Sequence, residues 1–219
     1  DPNGNTTAGQ GKTKYDADVR SELITSWEAG AELKFFNNRL GVDFAWYKTN
    51  AKRQLMNIPL NNLSGYDNMK VNAGNIQNTG IEIMLNARPI ETTQFSWDTQ
   101  LNFSQNKSKI IELLPGKPGM QYALGGSDAL QVYAVAGGAY GEIWGTKYQR
   151  VEEGEFKGQL LLNESGLPQA TSDKHKIGEQ QPDFLLGWTN TFNYKNFTLS
   201  FLIDGRFGGD IFSFTNMNL

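Results

Sequence analysis

From Ser26 to Asn50 the chain alternates. Trp27, Ala29, Ala31, Leu33 and Phe35 fall between Ser26, Glu28, Gly30, Glu32 and Lys34; after Asn37-Asn38, Leu40, Val42, Phe44 and Trp46 are set against Arg39, Gly41, Asp43, Ala45 and Tyr47. A period of two marks a β-strand with unlike faces. Paired asparagines tolerate the positive φ of a tight turn, so the segment reads as a hairpin with one apolar and one polar face. The design recurs. Ile81, Ile83, Leu85 and Ala87 alternate with Glu82, Met84, Asn86 and Arg88, and after "PIETTQ" Phe95, Trp97, Thr99, Leu101 and Phe103 alternate with Ser96, Asp98, Gln100, Asn102 and Ser104. A third hairpin runs from Phe184 through Trp188, Phe192 and Tyr194 into "KN", then leaves through Phe197, Leu199, Phe201 and Ile203. The expected hairpins are residues 26–50, 79–104 and 184–207, in one meandering antiparallel sheet.

A soluble sheet over a core produces the same alternation. Length separates the two readings, because these strands run to about 10 or 12 residues where soluble strands average about 5 or 6, and about 9 to 11 suffice to cross a bilayer. The connections are unequal too. The hairpin turns take a few residues, whereas "AKRQLMNIPLNNLSGYDNMKVNAGN" and roughly 107–138 are long and rich in Gly, Asn and Ser. Short turns at one end and long loops at the other describe an outer-membrane barrel, and the aromatics crowding the turns suit its interfacial girdle. In 139–183, "AYGEIWGTKYQR" and "GQLLLN" are plausible strands, and up-down parity requires that both span or neither does.

A net charge of −3 without a Lys/Arg cluster gives no nucleic-acid surface. The absence of cysteine excludes disulfides and thiolate chemistry. His175, the one histidine, has no second histidine or cysteine with which to build a zinc set. No serine stands in a Gly-x-Ser-x-Gly elbow, and "GGAYGEIWG" lacks the lysine of a phosphate loop, so its glycines read as bends or bulges. Glu28 and Glu32 share a face, as any polar strand face arranges. No catalytic, cofactor or metal site is expected. Tyr66, Tyr122 and Tyr133 fall in the expected loops, where a ring either stacks on a ligand sugar or packs its own loop.

"SELITSWEAGAELKFFNNRLGVDFAWYKTN" resembles the C-terminal barrel of TonB-dependent outer-membrane transporters. "NAGNIQNTGIEIML", "IGEQQPDFLLG" and "YKNFTLSFLIDGRFGGDIFSFTN", in this order and spacing, resemble the SusC/RagA-like branch. The resemblance covers the chain from about Ser21. It implies an all-β chain: an antiparallel transmembrane β-barrel segment, open as a meander here and part of a large plugged barrel in a Bacteroidota-type outer membrane. Trp27, Leu33, Val42, Phe44, Ile83, Leu101, Phe192 and Phe201 would then face lipid, and Glu28, Glu32, Asp43, Glu82, Arg88 and Asp98 a wet lumen. It also implies import of oligosaccharide or peptide, a SusD-like surface lipoprotein as partner, and energy from the TonB complex through N-terminal parts. Residues 1–219 would be part of the barrel domain, with signal peptide, plug and final strands lying outside them. The calcium-loop-like run of many members is missing from "EEGEFKGQLLLNESGLPQATSDKHKIG". A passive porin, or a soluble β-sandwich adhesin or carbohydrate-binding module, are the alternatives.

Overall fold

The computed structural model describes residues 11–127 and 130–215. Its main sheet has seven strands: β2 (Leu23–Phe35), β3 (Leu40–Pro59), β4 (Asn68–Glu91), β5 (Phe95–Glu112), β10 (Phe184–Tyr194) and β11 (Phe197–Phe207) lie side by side in that order, and β1 (Thr13–Tyr15) pairs in parallel with the start of β4. The three expected hairpins are β2–β3, β4–β5 and β10–β11, and the sheet does not close on itself. Between β5 and β10 the chain builds a smaller antiparallel sheet from β6 (Gln121–Gly126), β7 (Leu130–Val135), β8 (Tyr140–Gly145) and β9 (His175–Glu179).

Register turns the period of two into rows that cross the whole sheet. Leu33, Val42, Leu85, Leu101, Trp188 and Ile203 are successive partners, and the next row on that face is Ala31, Phe44, Ile83, Phe103, Leu186 and Gly205. Between them, on the opposite face, run Glu32, Asp43, Met84, Asn102, Gly187 and Asp204. The apolar rows have no second layer. Trp27 is 70% exposed, Leu33, Phe44 and Phe201 are exposed, and Ile83, Leu101 and Phe192 are half-buried by neighbours in the same sheet. A soluble sandwich would bury these side chains; a wall with lipid as its outer partner leaves them bare. Near the turns the same face ends in Phe95, Tyr194 and Phe197.

One break in the apolar face escapes the alternation. Thr99 and Asn190 are cross-strand partners among the lipid-side rows. Asn190 is 1% exposed, its Oδ1 accepts a bond from Trp97 Nε1 at 3.0 Å, and Thr99 Oγ1 accepts one from Trp188 Nε1 at 2.8 Å. The Phe192 ring stacks on Trp97 at 5.6 Å and lies 6.1 Å from Phe201. Large rings thus shield a polar pair on the face where hydrocarbon would otherwise meet it, although Asn190 Nδ2 finds no acceptor.

The strands exceed the expected length. The segment 51–75, expected as a long loop, is mostly ladder: β3 runs to Pro59 and β4 starts at Asn68. Across it Arg53 and Gly74 both take positive φ, 58° and 84°, at the one skipped position of the register. Asn72 fastens the incoming chain here, its Nδ2 donating to the carbonyls of Arg20 and Arg53 at 2.8 Å each. The expected loop 107–138 likewise holds the end of β5 and the whole of β6 and β7. The fully buried core lies where this small sheet meets the wall: Ile110, Leu113 and Ala134 are enclosed, with Met56, Ile76, Met120 and Tyr122 around them. Ile110 donates to the Gly138 carbonyl and accepts from Gly137 N at 2.9 and 2.7 Å, joining the two sheets through the backbone. Neither "AYGEIWG" nor "GQLLLN" spans. The first is the six-residue β8 of the small sheet, and the second makes only the isolated bridges of Leu160 with Arg150 and Leu162 with Pro168.

The two motifs around β10 and β11 lock together at the end away from the turns. Asp210 Oδ2 accepts from Glu179 N at 2.9 Å, Arg206 Nη2 donates to the Gln180 carbonyl at 2.6 Å, and Asp183 N donates to the Phe207 carbonyl at 2.8 Å. Gly208 and Gly209, at φ 69° and 78°, make the turn that permits this. Asp210→Ala removes one charge-assisted bond at a partly solvated site, so a local loss of about 1 to 2 kcal/mol is expected. Amide exchange at Glu179 should accelerate accordingly; an unchanged rate would show that the clasp does not depend on the carboxylate.

Candidate functional site

Strand alternation from β2 to β11 assembles the polar face of the main sheet, which carries all six charged residues singled out in the sequence. Arg88 is the most engaged. Its Nε donates to Asp98 Oδ1 at 2.6 Å and its Nη1 to Glu91 Oε1 at 3.2 Å, and Arg39 reaches Glu91 Oε2 at 3.5 Å. A bulge between Ala87 and Ile90 shapes this corner, and Pro89 sits within it, where a missing donor does no harm. The ion pairs border a depression of about 630 Å3 with Asn37, Asn86, Gln100 and Thr191.

Farther from the turns, Asp43, Glu82 and Asp204 line a second depression of about 590 Å3, with Asn102, Ser104 and Thr189 between them. Glu32 lies directly across from Asp43, and its carboxylate is held by Lys34 at 2.7 Å. Glu28 lies two periods of the alternation beyond, opposite Tyr47. Four residues along a strand separate Glu28 and Glu32 by roughly 13 Å, too far to share a proton. The face brings Arg88 and Asp98 together, sets Glu32 against Asp43, and leaves Glu28 apart. Chemically it is a polar, hydrogen-bonding wall.

Two of the three tyrosines differ from their expected placement. Tyr122 lies in β6 and packs on the Ile110 core, and Tyr133 lies in β7, edge-on to Trp144 with ring centres 6.0 Å apart. Both are strand residues because β6 and β7 pair in the small sheet, whose short strands show no clear alternation in the sequence. Tyr66 does lie in a loop, half-buried, its amide donating to Ser64 Oγ at 3.3 Å. His175, expected in a loop, opens β9 opposite Gly145 and is exposed.

Sequence reading missed the most buried charge. Glu142 on β8 is 5% exposed, accepting from Trp144 Nε1 at 3.0 Å, from Ala139 N at 3.3 Å and from Lys176 Nζ at 3.0 Å; the same ammonium reaches Glu179 at 3.1 Å. Burial pulls the Lys176 pKa down, but the hydrogen bonds to Glu142 and Glu179 and their charges outweigh it, and the net shift is upward. The stability this lysine contributes is therefore fully present below its unfolded value and lost as pH rises through the raised folded value. Lys176→Met leaves Glu142 buried without its cation, and a loss of about 1 to 3 kcal/mol is expected, below the range for a fully buried pair because the lysine is half in solvent. Proteolysis of 139–180 at neutral pH should be faster in the variant, and the gap should close in alkali. A gap that persists at high pH would mean that packing rather than charge is lost.

A wall of long antiparallel strands with a bare apolar face, a polar face, short turns at one end and a folded insertion at the other is a section of a transmembrane β-barrel. Residues 1–204 match the family model described as TonB dependent receptor-like, beta-barrel, and the chain belongs to that family of outer-membrane proteins. TonB-dependent receptor P3 of Formosa agariphila is 29% identical over 218 residues, 92% of this chain and 22% of that protein. TonB-dependent receptor SusC of Bacteroides thetaiotaomicron is 29% identical over 199 residues, 85% of this chain and 19% of SusC. Among solved structures, the RagAB peptide importer in the "open-open" state superposes with a TM-score of 0.68 at 18% identity, over 88% of this chain and 21% of that one. At that identity the likeness is one of fold. The chain spans about a fifth of the length of the curated relatives it matches.

Proposed function

We propose that the chain forms part of the wall of a SusC-like importer that carries oligosaccharide or peptide across the outer membrane. The carrying observation is the register, which gathers Glu28, Glu32, Asp43, Glu82, Arg88 and Asp98 on one face of a sheet whose other face is bare and apolar. That polar face lines the lumen through which cargo moves. A SusD-like lipoprotein meets the barrel at the loop end, where the small sheet stands, and the TonB complex supplies energy through parts of the protein beyond this section. Tyr66, Tyr122 and Tyr133 are the aromatic candidates for cargo contact on that side. The protein binds and moves its cargo and does not cleave it.

The test is uptake of labelled oligosaccharides and peptides by cells carrying the complete gene or a deletion of it, together with single cysteines at Glu82 and Val42. The cysteine at Glu82 should react with a hydrophilic maleimide and that at Val42 should not. Equal labelling of both, or unchanged uptake of every cargo after deletion, would remove this reading.

A further inference from the structure

We propose that the outward face of β3 and β5, just beyond the apolar rows, is a docking surface for the anionic, phosphate-bearing headgroups of membrane lipid in the leaflet at the loop end. The register carries the argument. Past the row Ala29, Trp46, Ile81 and Gln105, the same face continues with Trp27, Lys48, Thr79 and Lys107, then Thr25, Asn50, Gln77 and Lys109, then Leu23, Lys52 and Asn75. Four lysines thus follow one another on the side that faces lipid lower down. Lys48 and Lys107 stand two strands apart, about 10 Å, and Lys107 and Lys109 about 7 Å apart along one strand. Among the described residues none of the four is paired with a carboxylate. The nearest acid on that face, Glu112, lies across from Asn75 at the outer margin.

Position selects the occupant. Trp27 and Trp46, with Phe103, Phe184 and Phe207 on the neighbouring strands, mark the level where apolar side chains give way to polar ones, the level aromatic rings take in a bilayer. Lys48 and Lys107 share the Trp27 row, Lys109 is one row beyond it and Lys52 two; an ammonium there meets headgroups rather than acyl chains or bulk water, and its flexible stem can lie along the apolar face below. At the turn end the same face closes on Phe95, Tyr194 and Phe197 without such a lysine cluster. Among the described residues the turn end of this face has a single ammonium, Lys195 over the Tyr194 ring at 5.3 Å, and the cluster of four lies at the loop end, as a site for an anionic headgroup in that leaflet requires. This surface is independent of which cargo crosses the lumen.

The complete membrane protein in detergent is titrated with phosphatidylglycerol and separately with phosphatidylcholine, and bound lipid is counted by native mass spectrometry. The wild type should prefer phosphatidylglycerol. Each lysine near a charged surface accounts for roughly a fivefold change in association, so K48Q/K52Q/K107Q/K109Q should weaken phosphatidylglycerol binding tenfold or more while leaving phosphatidylcholine binding unchanged. Should the fourfold variant not fold, K48Q/K52Q and K107Q/K109Q are measured singly against Lys34→Gln on the opposite face, which should behave as wild type. The proposal is overturned if binding of the two lipids falls together, if neither falls, or if inorganic phosphate displaces phosphatidylglycerol as well as its short-chain form does, since that marks a free-anion site.

Discussion

Val42→Arg is expected to weaken folding into a bilayer by about 2 to 4 kcal/mol, Phe44→Arg to do the same, and Asp43→Asn, between them in sequence, to change stability far less. The contrast follows from the rows. Val42 and Phe44 sit within two successive apolar rows that cross from β2 to β11, two rows and one row inside the Trp46 row, so a guanidinium at either place is set on the face that meets hydrocarbon. Asp43 points to the other face and stands directly opposite Glu32. Neutralising it removes one like-charge neighbour and leaves an amide in a hydrated depression. Urea titrations of the complete barrel folding into phosphatidylcholine vesicles would rank the three, and finding Asp43→Asn the most damaging would reverse the assignment of faces.

That assignment was legible because a half-buried strand writes its environment into alternate residues. Trp27 against Glu28 and Phe44 against Asp43 needed no coordinates. The prolongation of β3 past Lys52 was not legible, since "RQLMNIP" keeps no regular period; ahead of Asn75 a short one does run through Met69, Val71 and Ala73 against Asn68, Lys70 and Asn72, but it stands in an Asn- and Gly-rich stretch that reads as loop. The small sheet was hidden for a related reason. Its strands β6 to β9 are five or six residues long and packed on one corner only, so an apolar period has no room to develop.

Of the candidate site, the face could be read but the partnerships could not. Arg88 meets Asp98 because Ala87 pairs with Thr99 and the next positions on β4 and β5 fall side by side, and register between two strands is not recorded in the composition of either. Glu142 and Lys176 are joined by pairing between β8 and β9 across a long excursion, without any local signal. Asn190 is the instructive case. Its neighbours Trp188 and Phe192 hold the alternation so strongly that a polar residue between them passes unnoticed, yet it is tolerated only because Trp97 and the surrounding rings cover it.

Gly80→Ala should cost about 1 to 3 kcal/mol, a large effect for a single methyl group, and the reason lies across the strand. Gly80 is buried on the polar face opposite Tyr47, whose ring lies over the space a side chain would occupy, and an added Cβ would stand 2.7 Å from the Gln105 carbonyl oxygen. The ring can swing aside, although it would give up the bond from Tyr47 Oη to Asn106 Oδ1 at 3.3 Å. The carbonyl cannot, because it belongs to the β4–β5 ladder. A glycine covered by an aromatic from the next strand keeps an otherwise weak strand position packed. The two contributions separate in a double-mutant cycle. If Tyr47→Ala is made first, Gly80→Ala should become cheaper by the part due to the ring and keep the part due to the backbone. Equal costs in both backgrounds would assign the whole effect to the carbonyl. A Gly80→Ala protein as stable as the wild type would mean that the close approach of β3, β4 and β5 at this level is not what the glycine is for.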